Sequence, residues 1–339
     1  MKIFTQIKSY YTLAFTLFLT CYGFQIFAQP GKDESVTITT NNTVLNRYTR
    51  VVADIVAGSN KVTVTNINDL NRDAINYLPA GYTTAANGFK TNPLTPGDLI
   101  MIYQAQGAKI DTTNTVNYGA VQNYNGAGRY EFAYVGTVSG NEITLQCGSK
   151  FSYFAANYIQ LIRVPQYSTL TVSSGASVVP VPWGSSYFGT DPDYTGDING
   201  VTREPSSKTR RRGGFTAIHA SQVVNNGIIQ ANGAGFRGGT TDPYTVSPAG
   251  SKLVWAYREK DPQFGAEKGE SIAGYREDYE DKPFNETVYI GRWGRGAPAN
   301  GGGGGNAHNA GGGGGANGGV LANWFRGAGV MNDFSGTCG

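Results

Sequence analysis

The chain has 339 residues, of which 48 are glycine and only 15% are charged, and its formal net charge is +3. That length is enough for two domains, and so small a net charge gives no broad electrostatic case for nucleic-acid binding. The 21 tyrosines and the few charged residues favour strands over helices. We therefore expect an all-β protein that does not bind nucleic acid.

Residues 1–28 have the pattern of an export signal. Two lysines form a basic start, and the apolar stretch that follows ends in a small residue, Ala28, before Gln29. A membrane anchor is the weaker alternative, because polar residues interrupt the apolar stretch, and lipidation at Cys21 is another. We expect residues 1–28 to be removed, residues 29–34 to form a short tail, and the mature protein to be exported without a stable membrane span.

Residues 35–165 contain short apolar runs separated by turn residues, without helical periodicity between them. The runs within residues 96–106 and 158–164 are apolar enough for buried strands. Residues 130–145 predict a hairpin around a Ser-Gly-Asn turn. Strands at such short spacing predict a β-sandwich or a small barrel.

Residues 166–239 have a different pattern. Two stretches, residues 168–180 and 215–236, combine strands of three to five residues with Asn and Gly corners, which is typical of stacked β-solenoid rungs. Two or three rungs cannot stand alone, so we expect this β-solenoid-like section to lean on the preceding domain or on further repeats. A polar insertion, residues 185–212, separates the two stretches, and residues 240–295 are charged and aromatic without strong periodicity.

Residues 296–339 form a glycine-rich segment with two five-glycine runs. Such a segment can be a flexible linker, a loop that binds an anion or backbone packed too tightly for a side chain. The runs lack the strand-to-helix setting of a phosphate loop, and Asn and Ala flank them in place of Ser or charges. We therefore expect ordered, extended strands packed against the rungs and against Trp293 or Trp324. The segment ends near Cys338, whose pairing with Cys147 stays open, and we expect it to continue in a longer protein.

The strongest signal for a metal site is the loop at residues 191–199, DPDYTGDIN. It has side-chain oxygens at alternate positions and a glycine at the sixth, as a calcium loop does. Its candidate ligands are Asp191, Asp193, Thr195, Asp197 and Asn199. The twelfth position, where a bidentate Glu is expected, holds Thr202, so an Asx-rich turn is the alternative. We expect no cofactor other than this possible calcium ion.

Other candidate groups are weaker. The acidic run at residues 277–281 offers paired carboxylates for glycoside hydrolysis, but charge runs such as this one and residues 210–212 usually face water. Neither His219 nor His308 has a second ligand at zinc-binding spacing. Aromatic side chains can stack on sugars but more often pack inside β proteins, and this applies to all four tryptophans: Trp183, Trp255, Trp293 and Trp324. We find no catalytic motif and expect no enzyme activity.

Several phrases occur in a specific order: GDLIMIYQAQGA, YNGAGRYEFAYV, LIRVPQYSTLTV, NGAGFRGG, EKGESIAG and GGGGGNAHNAGGGGG. Together they span residues 94–319, and they resemble a module at the N-termini of large surface proteins of Bacteroidota-type bacteria, including gliding-motility adhesins. The resemblance implies type IX secretion, display on the exterior of the outer membrane, and partners in the type IX translocon and the gliding machinery. The sequence shows no C-terminal sorting domain of such proteins, and no catalytic residues carry over.

We therefore expect a non-enzymatic N-terminal module of a large cell-surface adhesin, with the mobile adhesin of gliding motility as the specific case. One alternative is the accessory region of an exported polysaccharide-active enzyme. Another is a carbohydrate-binding or calcium-binding module, for which surface polysaccharide would be the partner.

The calcium loop can be tested directly. If it binds the ion, Asp193→Asn removes a carboxylate ligand and should lower the melting temperature by about 3 °C or more, but only with calcium present. Thermal unfolding of both proteins in excess calcium and in chelator measures this difference. Equal melting of the wild type in the two buffers would reject the site.

Overall fold

The computed structural model describes residues 31–71, 81–84, 93–184, 211–239, 256–258, 266–280, 291–305, 313 and 315. The regular structure there is nearly all β and includes a sheet curled into a half barrel, which confirms the predicted fold class. The predicted export signal, the loop at residues 191–199, His308 and Cys338 lie outside the described residues. What the sequence predicts for them stays a prediction.

The strands are short, as the spacing of the turn residues predicts. In chain order they are β1 (Ser35–Ile38), β2 (Thr43–Val44), β3 (Arg47–Arg50), β4 (Lys61–Thr63), β5 (Thr83–Thr84), β6 (Leu99–Gln104), β7 (Lys109–Ile110), β8 (Val121–Asn123), β9 (Tyr130–Ser139), β10 (Glu142–Leu145), β11 (Ile159–Val164), β12 (Gln166–Val172), β13 (Ser177–Val178), β14 (His219–Asn225) and β15 (Ile228–Ile229). The described residues also contain two 3₁₀ turns, Ile67–Leu70 and Ala155–Asn157, and one helical turn, α1 (Arg276–Tyr279).

Three rungs stack in parallel. Strands β1, β12 and β14 form one sheet in that order, and β5, β2, β13 and β15 form a second. The pairs β12–β13 and β14–β15 are the two rungs predicted from the sequence, which are confirmed. The pair β1–β2 is a further rung on the other side of β12–β13, built from residues that the sequence assigns to the preceding all-β domain.

Tight corners keep these rungs in register. The corner of the β14–β15 rung contains Gly227, where a Cβ would lie 2.4 Å from the carbonyl oxygen of Ala176 and 2.5 Å from that of Ser173. A side chain at this position would therefore collide with the backbone of the rung next to it. This close approach explains why the corner of the β14–β15 rung requires glycine.

Between the first two rungs, the chain forms a six-stranded sheet in the order β3-β11-β6-β9-β10-β4 with antiparallel pairs. One face packs a core that includes Ile100, Ile102 and Leu161. The other face packs against Val179 and Val181, which follow β13. The antiparallel sheet is thus inserted into the stack of rungs, and the hairpin predicted for β9 and β10 is confirmed.

Residues 266–280, which we call the ionic clip, join the rungs to the inserted sheet through buried polar groups. Glu270, 2% exposed, accepts hydrogen bonds from Gln106 Nε2 at 2.7 Å and from Trp183 Nε1 at 3.0 Å. Gln106 lies just after β6, and Trp183 lies after β13. One buried carboxylate therefore connects the two parts of the fold.

The same clip holds Arg211. Its guanidinium is buried and pairs with Glu277 at 2.7 Å and with Asp278, whose other oxygen accepts from the Tyr158 hydroxyl at 2.9 Å. The expectation that the arginine triplet and the acidic run face water is wrong for Arg211, Arg212 and Glu280, which are buried, whereas Glu277 and Asp278 keep part of their surface exposed. Sequence reasoning treated each run alone, whereas the fold pairs one with the other.

The first glycine run packs against the clip. Gly302 accepts from the amide of Gly269 at 2.9 Å, and the amide of Gly305 donates to Ala266 at 3.0 Å. A Cβ on Gly303 would lie 2.4 Å from the carbonyl oxygen of Arg295, and one on Gly304 would lie 2.2 Å from that of Ala266. The ordered alternative therefore holds for residues 301–305, although they form no strand, which corrects the expected extended strands.

The close approach predicts unequal effects of alanine along the run. Gly303→Ala and Gly304→Ala should each destabilise the protein by about 1–3 kcal/mol, because the added methyl group overlaps a fixed carbonyl oxygen. Gly313→Ala is the matched control, since its Cβ would be 3.6 Å from the nearest atom, an ordinary contact. Urea denaturation measures the differences, and equal midpoints for the three variants would contradict the packing described here.

The buried ion pairs predict a second difference. Arg211→Met leaves two carboxylates buried without their cation and should cost about 3–5 kcal/mol. Lys61→Met is the control, because the Lys61–Glu142 pair is 63% and 40% exposed, and an exposed pair contributes about 0–1 kcal/mol. Urea denaturation measures the loss of stability in each variant. Equal losses would contradict a stabilising role for the buried Arg211 pairs.

Candidate functional site: an aromatic ledge

The carboxylates that the sequence offered for glycoside hydrolysis are held inside the fold. Glu277 and Asp278 contact Arg211, and Glu280 contacts the Tyr118 hydroxyl and Arg258. Burial raises the pKa of Glu277, an effect that the Arg211 charge opposes. These groups therefore stabilise the clip through their mutual pairing, which is a structural use of the acidic run.

The other predicted positions are also structural where they are described. Trp183 and Trp293 are buried, and Trp183 packs edge-on against Phe236 with ring centroids 5.3 Å apart, so the packing interpretation is confirmed for these two. Trp255 and Trp324 lie outside the described residues. His219 begins β14 and is half-buried, and Cys147 is an exposed free cysteine.

Two kinds of site have no support in the part of the chain that the structure covers. There, no group of three or more His, Cys, Asp or Glu side chains is placed to hold a metal ion. Within the same ranges, no helix is long and apolar enough to cross a membrane.

The inserted sheet is covered unevenly on the face that meets the rungs. One row of cross-strand neighbours runs through Tyr48 on β3, Ile162 on β11, Met101 on β6 and Phe132 on β9. The first three side chains are 4%, 0% and 3% exposed, whereas Phe132 is 52% exposed. The rungs thus cover three strands of this face and leave β9 open.

The open part of β9 presents aromatic rings in a line. Tyr130, Phe132 and Tyr134 alternate along the strand and therefore point to the same face of the sheet. Tyr130 is also exposed, and its ring meets that of Phe132 edge-on, with centroids 6.2 Å apart and planes at 83°. We call these three residues the aromatic ledge.

The inner border of the ledge is also aromatic. Tyr103 on β6 lies opposite Tyr130, and its ring packs against Phe215 with centroids 4.4 Å apart. Burial raises the pKa of Tyr103 and of Tyr134, so both phenols stay protonated at neutral pH and can donate hydrogen bonds. The border therefore combines apolar ring surface with hydroxyl donors.

The outer border is polar. The β9–β10 register shifts beside Leu145, and beyond this bulge Thr137 lies opposite Thr144. Thr144 alternates with two core residues of β10, so it faces the ledge side. The next strand on that side contributes Lys61, which pairs with Glu142 at 2.9 Å. Hydroxyls and an exposed ion pair thus extend the ledge.

Sequence reasoning found the strand but missed the ledge. In the run YEFAYV both alternating sets contain apolar residues, so the pattern does not tell which set faces the core. The answer depends on Val135 and Ala133 packing into the core of the inserted sheet, and on how far the rungs extend over the other face. Both are long-range features, and the one local signal was the density of aromatic residues on a single strand.

Comparisons with known proteins add little to this geometry. No protein-family model matches the chain, and no curated protein matches it. Among solved structures, it is similar to the tailspike gp61 of Pseudomonas phage phi297, with 14% identity and a TM-score of 0.20 over 44% of this chain and 22% of that one. The Gp54 tailspike of Acinetobacter baumannii bacteriophage AP22, solved in complex with A. baumannii capsular saccharide, gives 14% identity and a TM-score of 0.20 over 43% and 24%.

The tailspike gp49 of Pseudomonas phage LKA1 gives 11% identity and a TM-score of 0.21 over 43% of this chain and 24% of that one. The alignments therefore span less than a quarter of each of these three tailspikes. TM-scores near 0.2 are too low to relate the overall folds.

Proposed function

We propose that this chain is a non-catalytic module of an exported surface protein, and that its aromatic ledge binds polysaccharide. The observation that carries the proposal is the exposure of Tyr130 and Phe132 on a sheet face that the rungs cover over β3, β11 and β6. Large apolar rings left open in a row on a rigid strand mark an interaction surface more often than a packing fault. The ledge is therefore the part of the described surface best suited to a ligand.

The chemistry of the ledge favours a sugar chain over an apolar partner. Aromatic faces pack on the apolar faces of sugar rings, while the tyrosine hydroxyls keep a polar tip for hydrogen bonds. The threonines and the Lys61–Glu142 pair at the outer border supply further donors and acceptors. A long apolar helix would leave these polar groups without partners, at a cost in free energy.

The position of the ledge supports a display role. It lies on β9, between β6 and β10 in the six-stranded sheet, and the core packs against the opposite face of this strand. Sites built on strands are held more precisely than sites on loops. A ligand on this surface would therefore meet rings that are already in place.

The finer assignment, a type IX-secreted adhesin of gliding motility, rests on the ordered phrases of the sequence, and the exported location rests on the pattern of residues 1–28. The accessory region of a polysaccharide-active enzyme stays a second candidate, because the same ledge would hold such an enzyme on its substrate. Both candidates place polysaccharide at the ledge, so a test of binding addresses what they share.

Affinity electrophoresis through gels that contain neutral, acidic or amino-sugar polysaccharides tests the proposal. The wild type should be retarded by at least one class, and Tyr130→Ala combined with Phe132→Ala should weaken that binding about tenfold, since each ring contact contributes about 0.5–1.5 kcal/mol. Val56→Ala is the control, because Val56 is 67% exposed and lies outside the ledge. Retardation of the double variant equal to that of the wild type, or a wild type that binds none of the gels, would reject the proposal.

A further inference from the structure

The two most exposed rings of the aromatic ledge do not form a flat surface. The planes of Tyr130 and Phe132 meet at 83°, with their centroids 6.2 Å apart. Edge-to-face contact is a preferred arrangement of two aromatic rings, so the pair holds this angle by its own interaction. One ring can therefore lie against the apolar face of a sugar while the other stands beside that sugar, and we call this arrangement the ring corner.

The strand beneath the rings is bent. The β9–β10 register skips Gly136, which is therefore an extra residue in β9. Such a bulge bends the strand that contains it and increases its twist. Tyr134 lies two residues before the bulge, so the polar side chains beyond it continue in another direction than the rings. The surface that a ligand meets along β9 is therefore curved.

The rungs form a step beside the ledge. Met101 on β6 is the cross-strand neighbour of Phe132, yet it is buried against Val179 and Val181, whereas Phe132 is exposed. Among the residues that the structure describes, the covering layer thus ends between these two neighbours. A layer packed on a sheet lies about 10 Å above it. A flat, extended surface lying on the ledge would meet this step.

We propose that the ledge binds a single, non-planar polysaccharide chain, one sugar residue of which lies in the ring corner, and that it does not bind flat crystalline polysaccharide. This inference rests on the proposed function, because it takes polysaccharide as the ligand. A crystal face presents many sugar rings in one plane, so it needs coplanar aromatic rings on an unobstructed surface. A single chain can bend, and it fits between the step and the polar outer border of the ledge.

Depletion of the protein by suspensions of crystalline cellulose and of crystalline chitin, together with affinity electrophoresis in soluble polysaccharides, tests this specificity. The wild type should be retarded by a soluble polysaccharide and should stay in the supernatant of both suspensions. Depletion by the crystals that is lost in the variant combining Tyr130→Ala with Phe132→Ala would overturn the inference, but it would leave the proposed function intact. A wild type that binds neither form would reject the proposed function, and this inference with it.

A double-mutant cycle on a retarding soluble polysaccharide tests the ring corner itself. If both rings hold the same sugar residue, Tyr130→Ala and Phe132→Ala should each weaken binding about tenfold, as the double variant does, because either loss opens the corner. Two rings that contact separate sugar residues would instead act independently, with about threefold for each single variant, and that result would overturn the corner. Val56→Ala remains the control, and unchanged urea midpoints would show that the variants are folded.

Discussion

The fold depends on the parallel pairing of β1 with β12. In this ladder Ser35 lies beside Thr169, and the hydroxyls of Ser35 and Ser168 are 2.8 Å apart. At its start, Asp33 donates its amide to Gln166 at 2.9 Å and accepts from the Gln166 amide at 2.7 Å. The pairing brings together the chain segments that precede and follow the inserted sheet. Its loop-closure entropy is offset by burial on both sheet faces, so rungs and insertion stabilise each other.

Polar groups specify how these two parts meet. In the ionic clip, Glu267 accepts from the Tyr275 hydroxyl at 2.6 Å and from Arg276 and Arg292 at 2.7 and 2.8 Å, and glycine backbone packs alongside. Replacing buried ion pairs by apolar groups is often neutral or stabilising, whereas breaking one is costly. The ion pairs of the clip thus favour one arrangement of the rungs and the inserted sheet. The glycines of residues 301–305 let their backbone approach the clip closely, which shields the charges from water.

Local pattern in the sequence predicts the all-β class, the hairpin of β9 and β10, and the two rungs with glycine at their corners. Turn chemistry and alternation act within a few residues and can therefore be recognised locally. It does not predict the rung at residues 35–44, whose identity depends on a partner far along the chain. The burial of Arg211 follows from carboxylates 66 and 67 residues away, which no local charge pattern reveals. The aromatic ledge was missed for the same reason, since exposure on β9 depends on where the rungs end.

The exposure of the aromatic ledge follows from incomplete coverage of the inserted sheet by the rungs. A rung buries an apolar residue only if another layer lies on it, so the apolar residues of an uncovered outer layer stay exposed. Along the stack, the last described rung leaves Val223, Ile228 and Ile229 exposed. Across the sheet, β9 is the strand next to those that the rungs cover. Its backbone is paired on both sides, and it presents the three aromatic side chains of the ledge. A strand with no free edge cannot accept another strand, so the ligand proposed for the ledge would bind through side chains.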